Sequence, residues 1–274
     1  MMQDASGLIH VERNLFLVAE DNSDLIRFFE LNTDDQGNPC FQSTGQNLNP
    51  GDGAASNSDF ESLARIGDLF FVIGSYNAPE RRKLLRFQMN GTALTAPPET
   101  ISFDLAAIFL QEEIDIESLC AFRQDTLMVG FRKPLLQGKA PAIFFNTDTL
   151  ETDIRYFDLR QRAFRDCVRI ADDSFLILAG PEKGNKPRRR IYLWNGTFDD
   201  VRPQKCMIGL GNLRGEGICV RQGQGLGLDS LEILIGTDES SGSGGDFKMG
   251  YVKVNNVKEL LENEIRLIDV RVTV

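Results

Sequence analysis

Histidine is almost missing from this chain: His10 is the only one in 274 residues. One imidazole cannot build a His-rich zinc site, and a His-dependent nucleophilic triad is not expected. The five cysteines (Cys40, Cys120, Cys167, Cys206 and Cys219) are odd in number, and none stands in a CxxC spacing. They read as packed free thiols in a reducing compartment. No run of 18 apolar residues occurs, so no membrane-spanning helix is expected. No secretory leader opens the sequence, since the first strand begins by residue 7, and a cytoplasmic location follows as the expectation. Low-complexity sequence is confined to Glu239–Gly245 (ESSGSGG), a loop rather than a domain joint. A net charge of −10 argues against unspecific nucleic-acid binding. Neither nucleic acid nor membrane is an expected partner.

What the chain does have is a repeat. In Asp115–Pro134 (DIESLCAFRQDTLMVGFRKP) an acidic residue heads a short apolar run. Arg123-Gln124-Asp125 makes a tight turn, and a second β-rich run ends on Gly130-Phe131. That is the pattern of a hairpin in a buried sheet. With Glu117 as anchor, the pattern recurs about every 50 residues at Ser6, Glu61, Asp166 and Glu216. The residue after each anchor is small (Gly7, Ser62, Ser118, Cys167, Gly217), and the next is aliphatic (Leu8, Leu63, Leu119, Val168, Ile218). Thirteen residues after the anchor stand Ala19, Gly74, Gly130 and Ala179. In the fifth unit Gln222–Leu228 lengthens the turn and shifts the match to Gly236.

A third β-rich run follows each hairpin: Leu25–Leu31, Leu84–Met89, Ala142–Phe145, Ile191–Trp194 and Gly250–Val254. Each closes on an Asn that suits a tight turn. A fourth run follows, as in Ile154–Leu159 and Ile265–Val272. Four antiparallel strands in about 50 residues make one blade of a β-propeller. The expectation is an all-β, five-bladed propeller forming a single domain over 1–274. Its approximate blades are 1–55, 56–111, 112–161, 162–211 and 212–274; six blades would require a misplaced boundary. Leu105–Glu112 and Val257–Glu264 have the spacing of short helices on connecting loops.

First strands line the axis of a propeller, so the anchors Ser6, Glu61, Glu117, Asp166 and Glu216 are expected to converge at one end of it. Oxygen-only donors select a hard cation, Ca²⁺ before Mg²⁺. Two alternatives stand beside that metal site. The acids could cap strand ends and accept backbone N–H groups of the next blade. Arg165 and Arg214, next to two anchors, could also neutralise the ring without a metal.

Asp115–Leu119, Val129–Leu135 and Ala179–Pro181 carry a resemblance to an uncharacterised bacterial propeller family, a domain of unknown function with a DIE[SG]L…VGFRxPL motif. That resemblance implies no activity. The anchors also resemble, more distantly, the calcium-activated nucleotidases (apyrases). These are five-bladed propellers with an axial Ca²⁺ held by Ser and Glu from successive blades. Ser6, Glu61, Glu117 and Glu216 follow that order; Asp166 stands where those enzymes have Ser.

Because strands alternate direction, the loops between second and third strands open at the anchor end. They carry Arg81, Arg82 and Lys83 in blade 2, Arg132, Lys133 and Lys139 in blade 3, and Lys183, Lys186, Arg188, Arg189 and Arg190 in blade 4. Arg132, Lys133, Arg81, Arg82 and Arg188 are the candidate anion contacts, Arg132 first because it follows its strand directly. Two functions fit. One is a non-catalytic propeller with an axial ion and a basic rim that binds a small anion or a protein partner. The other is a calcium-dependent hydrolase of a phosphorylated or other anionic substrate, with an anchor carboxylate as base.

Overall fold

The computed structural model describes residues 5–20, 24–50, 58–102, 105, 113–183, 189–198, 203–210, 214–222, 230–237 and 248–273. A run such as Leu69-Phe70-Phe71-Val72-Ile73 has no polar position to turn toward water, so both faces of its strand must be covered. The structure covers both. Phe70 and Val72 join one apolar cluster with Leu17 and Phe28, while Phe71 and Ile73 join another with Leu119 and Val129. Alternate side chains of one strand thus fill two different seams.

Five blades result. Blade 1 is β1 (Ala5–Glu12), β2 (Leu15–Glu20), β3 (Ile26–Thr33) and β4 (Pro39–Leu48). Blade 2 is β5 (Phe60–Ile66), β6 (Leu69–Gly74) and β7 (Leu84–Asn90), with an outer edge made of two short pieces, β8 (Ala93–Leu94) and β9 (Glu99–Ile101). Blade 3 is β10 (Asp115–Arg123), β11 (Thr126–Lys133), β12 (Ala140–Asn146) and β13 (Thr152–Phe157). Blade 4 is β14 (Ala163–Ala171), β15 (Ser174–Gly180), β16 (Arg190–Trp194) and β17 (Gln204–Lys205). After β18 (Ile208–Gly209), blade 5 comprises β19 (Gly215–Gln222), β20 (Leu231–Thr237) and β21 (Lys248–Val254). It continues through β22 (Ile265–Arg266) to its outer strand β23 (Ile268–Thr273). The five-bladed, four-stranded expectation is met.

Each of the five apolar clusters lies in one seam between neighbouring blades. The seam between blades 3 and 4 is aromatic: Phe122, Phe144, Phe157, Phe175 and Phe198 surround Trp194 at centroid distances of 4.9–6.0 Å. Gly130 belongs to this seam too. A Cβ there would lie 2.6 Å from the Phe164 ring of the next blade, which is why the second strand of blade 3 carries no side chain at that point.

The ring closes through its outer edge. Strand β23 pairs antiparallel with β21 and parallel with β4, joining blades 5 and 1 into one eight-stranded sheet. Of the two helical expectations, α1 (Glu259–Glu262) falls inside 257–264; 106–112 lies outside the described residues, as does Glu239–Gly245. No helix among the described residues is long and apolar enough to cross a membrane.

Candidate functional site

Every first strand carries one extra residue near its start. Ala5 faces Glu20 and Gly7 faces Ala19, leaving Ser6 unmatched between them. The same bulge isolates Glu61, Glu117 and Glu216. A bulge re-aims the side chain of the unmatched residue, here toward the axis in blade after blade. In blade 4, Phe164 faces Ala179 and Asp166 faces Leu178, so the unmatched residue is Arg165. This corrects the sequence register by one position. Asp166 belongs to the row of Gly7, Ser62, Ser118 and Gly217, and the ring of bulge residues is Ser6, Glu61, Glu117, Arg165 and Glu216.

Arg165 is only 2% exposed. Its Nη1 lies 3.0 Å from Glu117 Oε2 and 3.5 Å from Glu216 Oε2. Its Nη2 donates to the Pro181 carbonyl at 2.8 Å. Burial works against the guanidinium, but the two glutamates outweigh it and hold its pKa above the ordinary value. Two further arginines extend the lattice. Arg132 Nη1 donates to Glu117 Oε1 at 2.7 Å, and its Nε lies 3.6 Å from Asp115 Oδ2. Arg189 pairs with Glu216 and donates from Nε to the Gly215 carbonyl at 3.1 Å. Its side chain lies flat across Gly180, where a Cβ would meet Arg189 Cδ at 2.7 Å. Lys133 completes the set, 2.7 Å from Glu113 and 3.7 Å from Asp115. Among the described residues, four carboxylates (Glu113, Asp115, Glu117, Glu216) thus meet four cations (Arg132, Lys133, Arg165, Arg189). Burial, and then the neighbouring Glu117, push the Asp115 carboxyl up to about 6.

Asp166 does something else. It crosses the axis below the ring, with Oδ1 2.8 Å from Ser62 Oγ of blade 2 and from its neighbour's Cys167 N–H. The Ile218 N–H of blade 5 donates to its Oδ2 at 2.8 Å. This is the expected alternative in which an acid accepts a backbone N–H of the next blade. Burial pushes its pKa well up. Ser62 Oγ also lies 3.4 Å from the Leu119 carbonyl of blade 3. Ser62 Oγ donates to Asp166 Oδ1, so three donors from blades 2, 4 and 5 converge on this one carboxyl.

The remaining candidates are spread out. Ser6 is buried and Glu61 half-buried at the ring. Arg81 folds back on its own blade, with Nη1 2.5 Å from Asp59 Oδ2, which also accepts Ser75 Oγ at 2.7 Å. Arg82 is exposed. Arg188 lies outside the described residues. Arg214, the other basic neighbour of an anchor, is half-buried. In blade 1, Arg27 holds Glu20, and Asp24 accepts the Ser58 N–H of blade 2 at 2.8 Å. The basic neighbours were visible in the sequence. The role of Arg189 was not, because nothing in a loop reading brings its side chain back across Gly180 onto Glu216.

The donor set does not fit a Ca²⁺ ion of the kind the nucleotidase resemblance implies. A guanidinium stands inside the ring, bonded to two of its three glutamates. Among the described residues, no group of three or more His, Cys, Asp and Glu is placed to hold a metal.

No protein-family model matches this chain, and no curated protein does. Similar solved structures include the N-terminal domain of Nup159, with TM-score 0.41 and 10% identity over 90% of this chain and 60% of that one. A chain of the Mitotic Checkpoint Complex has TM-score 0.40 and 10% identity over 82% and 57%. The Niastella koreensis GH74 enzyme has TM-score 0.46 and 9% identity over 91% and 45%. The chain thus spans about 60% of the length of the Nup159 chain.

Proposed function

We propose that this chain is a non-catalytic binding propeller whose anchor-end mouth takes an anionic group, from a small ligand or a protein partner, with Arg132 as first contact. The observation that supports this reading is the state of Arg132. It is the outermost guanidinium of the lattice, 29% exposed, and Glu117 and the Glu182 carbonyl engage only its Nη1 and Nε. Neither contact uses its Nη2, a donor matched to a carboxylate or phosphate oxygen. In this reading Arg165 supplies the axial positive charge, and neither Ca²⁺ nor Mg²⁺ is required.

Calorimetric titration with inorganic phosphate and with a dicarboxylate tests it. A charge-assisted hydrogen bond is worth about 1.5–3 kcal/mol, so Arg132→Ala weakens binding by roughly 10- to 150-fold while the melting curve stays cooperative. Equal affinities of parent and variant, or no binding by the parent, would overturn it.

A second reading, a calcium-dependent hydrolase of an anionic ester, has one observation on its side. Asp115, lifted to about 6, exchanges protons close to neutral pH, as a general acid or base must. Turnover of nucleotides or phosphate esters that needs added Ca²⁺ and disappears in Asp115→Asn would favour it over simple binding.

A further inference from the structure

Asp166 crosses the axis between the ring and the far end, tied to Ser62 of blade 2 and to the Ile218 N–H of blade 5. Beyond it the five first strands enclose a cavity of about 420 Å³, within the size range of small-ligand sites. Counted from the bulge residue of each blade, the wall takes the residues two to four places on: 8–10, 63–65, 119–121, 167–169 and 218–220. The outermost row of that wall is therefore His10, Arg65, Ala121, Arg169 and Val220. Among the described residues, Asp172 is the one acid on the wall.

Arg65 and Arg169 are held in place by the turns that end their strands. Arg65 donates from Nε to the Gly67 carbonyl at 2.7 Å and from Nη1 to the Val11 carbonyl of blade 1 at 2.6 Å. Its guanidinium also lies 5.0 Å from the centroid of the Phe70 ring. Arg169 donates from Nε to the Ala171 carbonyl at 3.1 Å and from Nη2 to Asp172 at 3.0 Å. The carbonyls fix the two guanidinium groups without neutralising them. The acids that approach them, Asp68 at 3.9 Å and Asp172 at 3.0 Å, stand almost wholly in water, where an ion pair adds little. The hydrogen bonds do not use Arg65 Nη2 or Arg169 Nη1, donors matched to carboxylate oxygens. His10 supplies the opposite function. Its Nε2 lies 2.9 Å from the Arg13 carbonyl, which can only accept, so Nε2 carries the proton and Nδ1 of the neutral ring keeps its lone pair. Burial, then the charges of Arg221 and Arg65, hold the ring's pKa below its ordinary value, so it is neutral at pH 7.

Arg65 and Arg169 stand on blades 2 and 4, which are not neighbours, so they approach a guest in the cavity from two directions. One anionic group suits one of them; a short molecule with an anionic group at each end suits both. We propose that the far end of the axis is a second binding site, separate from the anchor-end mouth, for a small organic dianion such as a short dicarboxylate, with one end on Arg65 and the other on Arg169. The lone pair of His10 Nδ1 is matched to a hydroxyl carried between those ends.

The single histidine makes the test local. In proton NMR of the full chain, the ring signal of His10 reports on this end of the axis and not on the anchor end. Titration with succinate at fixed pH and ionic strength moves it saturably, and acetate, which has one anionic end, binds about tenfold more weakly or worse. The hydrogen bonds of Arg169 stay within its own turn, so Arg169→Ala keeps the fold. It weakens succinate about tenfold, the low end for a charge-assisted contact because the side chain is 32% exposed. Arg65→Ala has the same effect on binding. Arg123→Ala, at the same end but stacked over Phe122 and off the cavity wall, leaves the response unchanged. Arg65 also reaches blade 1; if Arg65→Ala fails to fold, Arg169→Ala decides alone. No saturable movement of the His10 signal, acetate binding as tightly as succinate, or equal succinate affinity in Arg169→Ala and parent overturns the site.

Discussion

Replacing Arg165 by alanine separates a chain-borne axial cation from a metal site. The guanidinium is 2% exposed and holds Glu117, Glu216 and the Pro181 carbonyl. Removing one partner of a buried ion pair costs about 3–5 kcal/mol when the other charge is left uncompensated, and this is an upper bound here because Glu117 keeps Arg132 and Glu216 keeps Arg189. In a domain of this size each kcal/mol moves the melting midpoint by about 2–4 °C, so Arg165→Ala lowers it by up to roughly 6–20 °C. The same change vacates the space between two glutamates and leaves them repelling each other. Added Ca²⁺ then has a site that the parent lacks, and at a hundredfold excess over its dissociation constant it restores about 2.7 kcal/mol. Melting curves of parent and variant in chelator, in Mg²⁺ and in Ca²⁺ measure all of this at once. The parent melts at one midpoint in all three; the variant melts low in chelator and recovers in Ca²⁺. A second substitution, Glu117→Gln on the Arg165→Ala background, recovers stability in chelator and loses the Ca²⁺ response. A Ca²⁺ shift of the parent's midpoint as large as the variant's would refute this, since the ring would then hold a metal with Arg165 in place.

Three further outcomes follow from the same contacts. Asp115 is lifted from 3.8 to about 6 in the folded chain, so the folded state holds that proton more tightly. Its stabilising contribution is complete below pH 3.8 and is lost as pH rises through 6. Asp115→Asn therefore matches the parent at pH 4 and exceeds it by about 2–3 kcal/mol at pH 7.5; a pH-independent difference in urea unfolding would contradict this. Gly180→Ala places a methyl group 2.7 Å from Arg189 Cδ and 3.0 Å from Arg165 Nε. It destabilises by about 1–3 kcal/mol, measured by thermal melting, and a neutral substitution would show that Arg189 is free to swing off Glu216. Deleting residues 268–274 removes β23, which among the described strands is the one that ties β21 to β4. The truncated chain opens at the seam of blades 1 and 5, seen as amide exchange spreading through β1–β4 and β19–β21 before the other blades.

The propeller was legible because its physics is periodic. Apolar runs buried on both faces, tight Asn turns and a hairpin every 50 residues recur whatever the particular side chains, and strand ends such as Leu84–Met89 against Leu84–Asn90 differ by a residue. The ring was legible only in part, since a bulge leaves no compositional mark. The small residue thirteen positions past the anchor looked like a register marker. It is one in blades 1 and 3, where Gly7 faces Ala19 and Ser118 faces Gly130. In blade 2, however, Ser62 faces Ile73 rather than Gly74, and in blade 4 Asp166 faces Leu178 rather than Ala179. Gly74 and Gly180 are small for another reason, to let Arg81 and Arg189 fold back over the strand end. An acid one residue past an arginine therefore took the anchor's place in the sequence register, and ring closure through β23 had no sequence signal at all.

A cation carried on a strand differs from a bound ion in what it can hold together. A metal on the axis draws on every donor within reach and ties all five blades with equal claim. The Arg165 guanidinium has fixed directions: its contacts run to Glu117 in blade 3, to Pro181 in its own blade and to Glu216 in blade 5. With Arg132 reaching from blade 3 to the Glu182 carbonyl and Arg189 from blade 4 to blade 5, the ion lattice joins blades 3, 4 and 5. Blade 2 is reached one layer deeper, through the Ser62–Asp166 contact, and the ring brings only Ser6 and Glu61 from blades 1 and 2. The wall formed by blades 3, 4 and 5 is cross-linked, and its outer guanidinium is Arg132. An anion entering the mouth could bind Arg132 Nη2 without separating any two blades, because the inter-blade contacts of Arg132 use its Nε and those of blades 4 and 5 use Arg165 and Arg189.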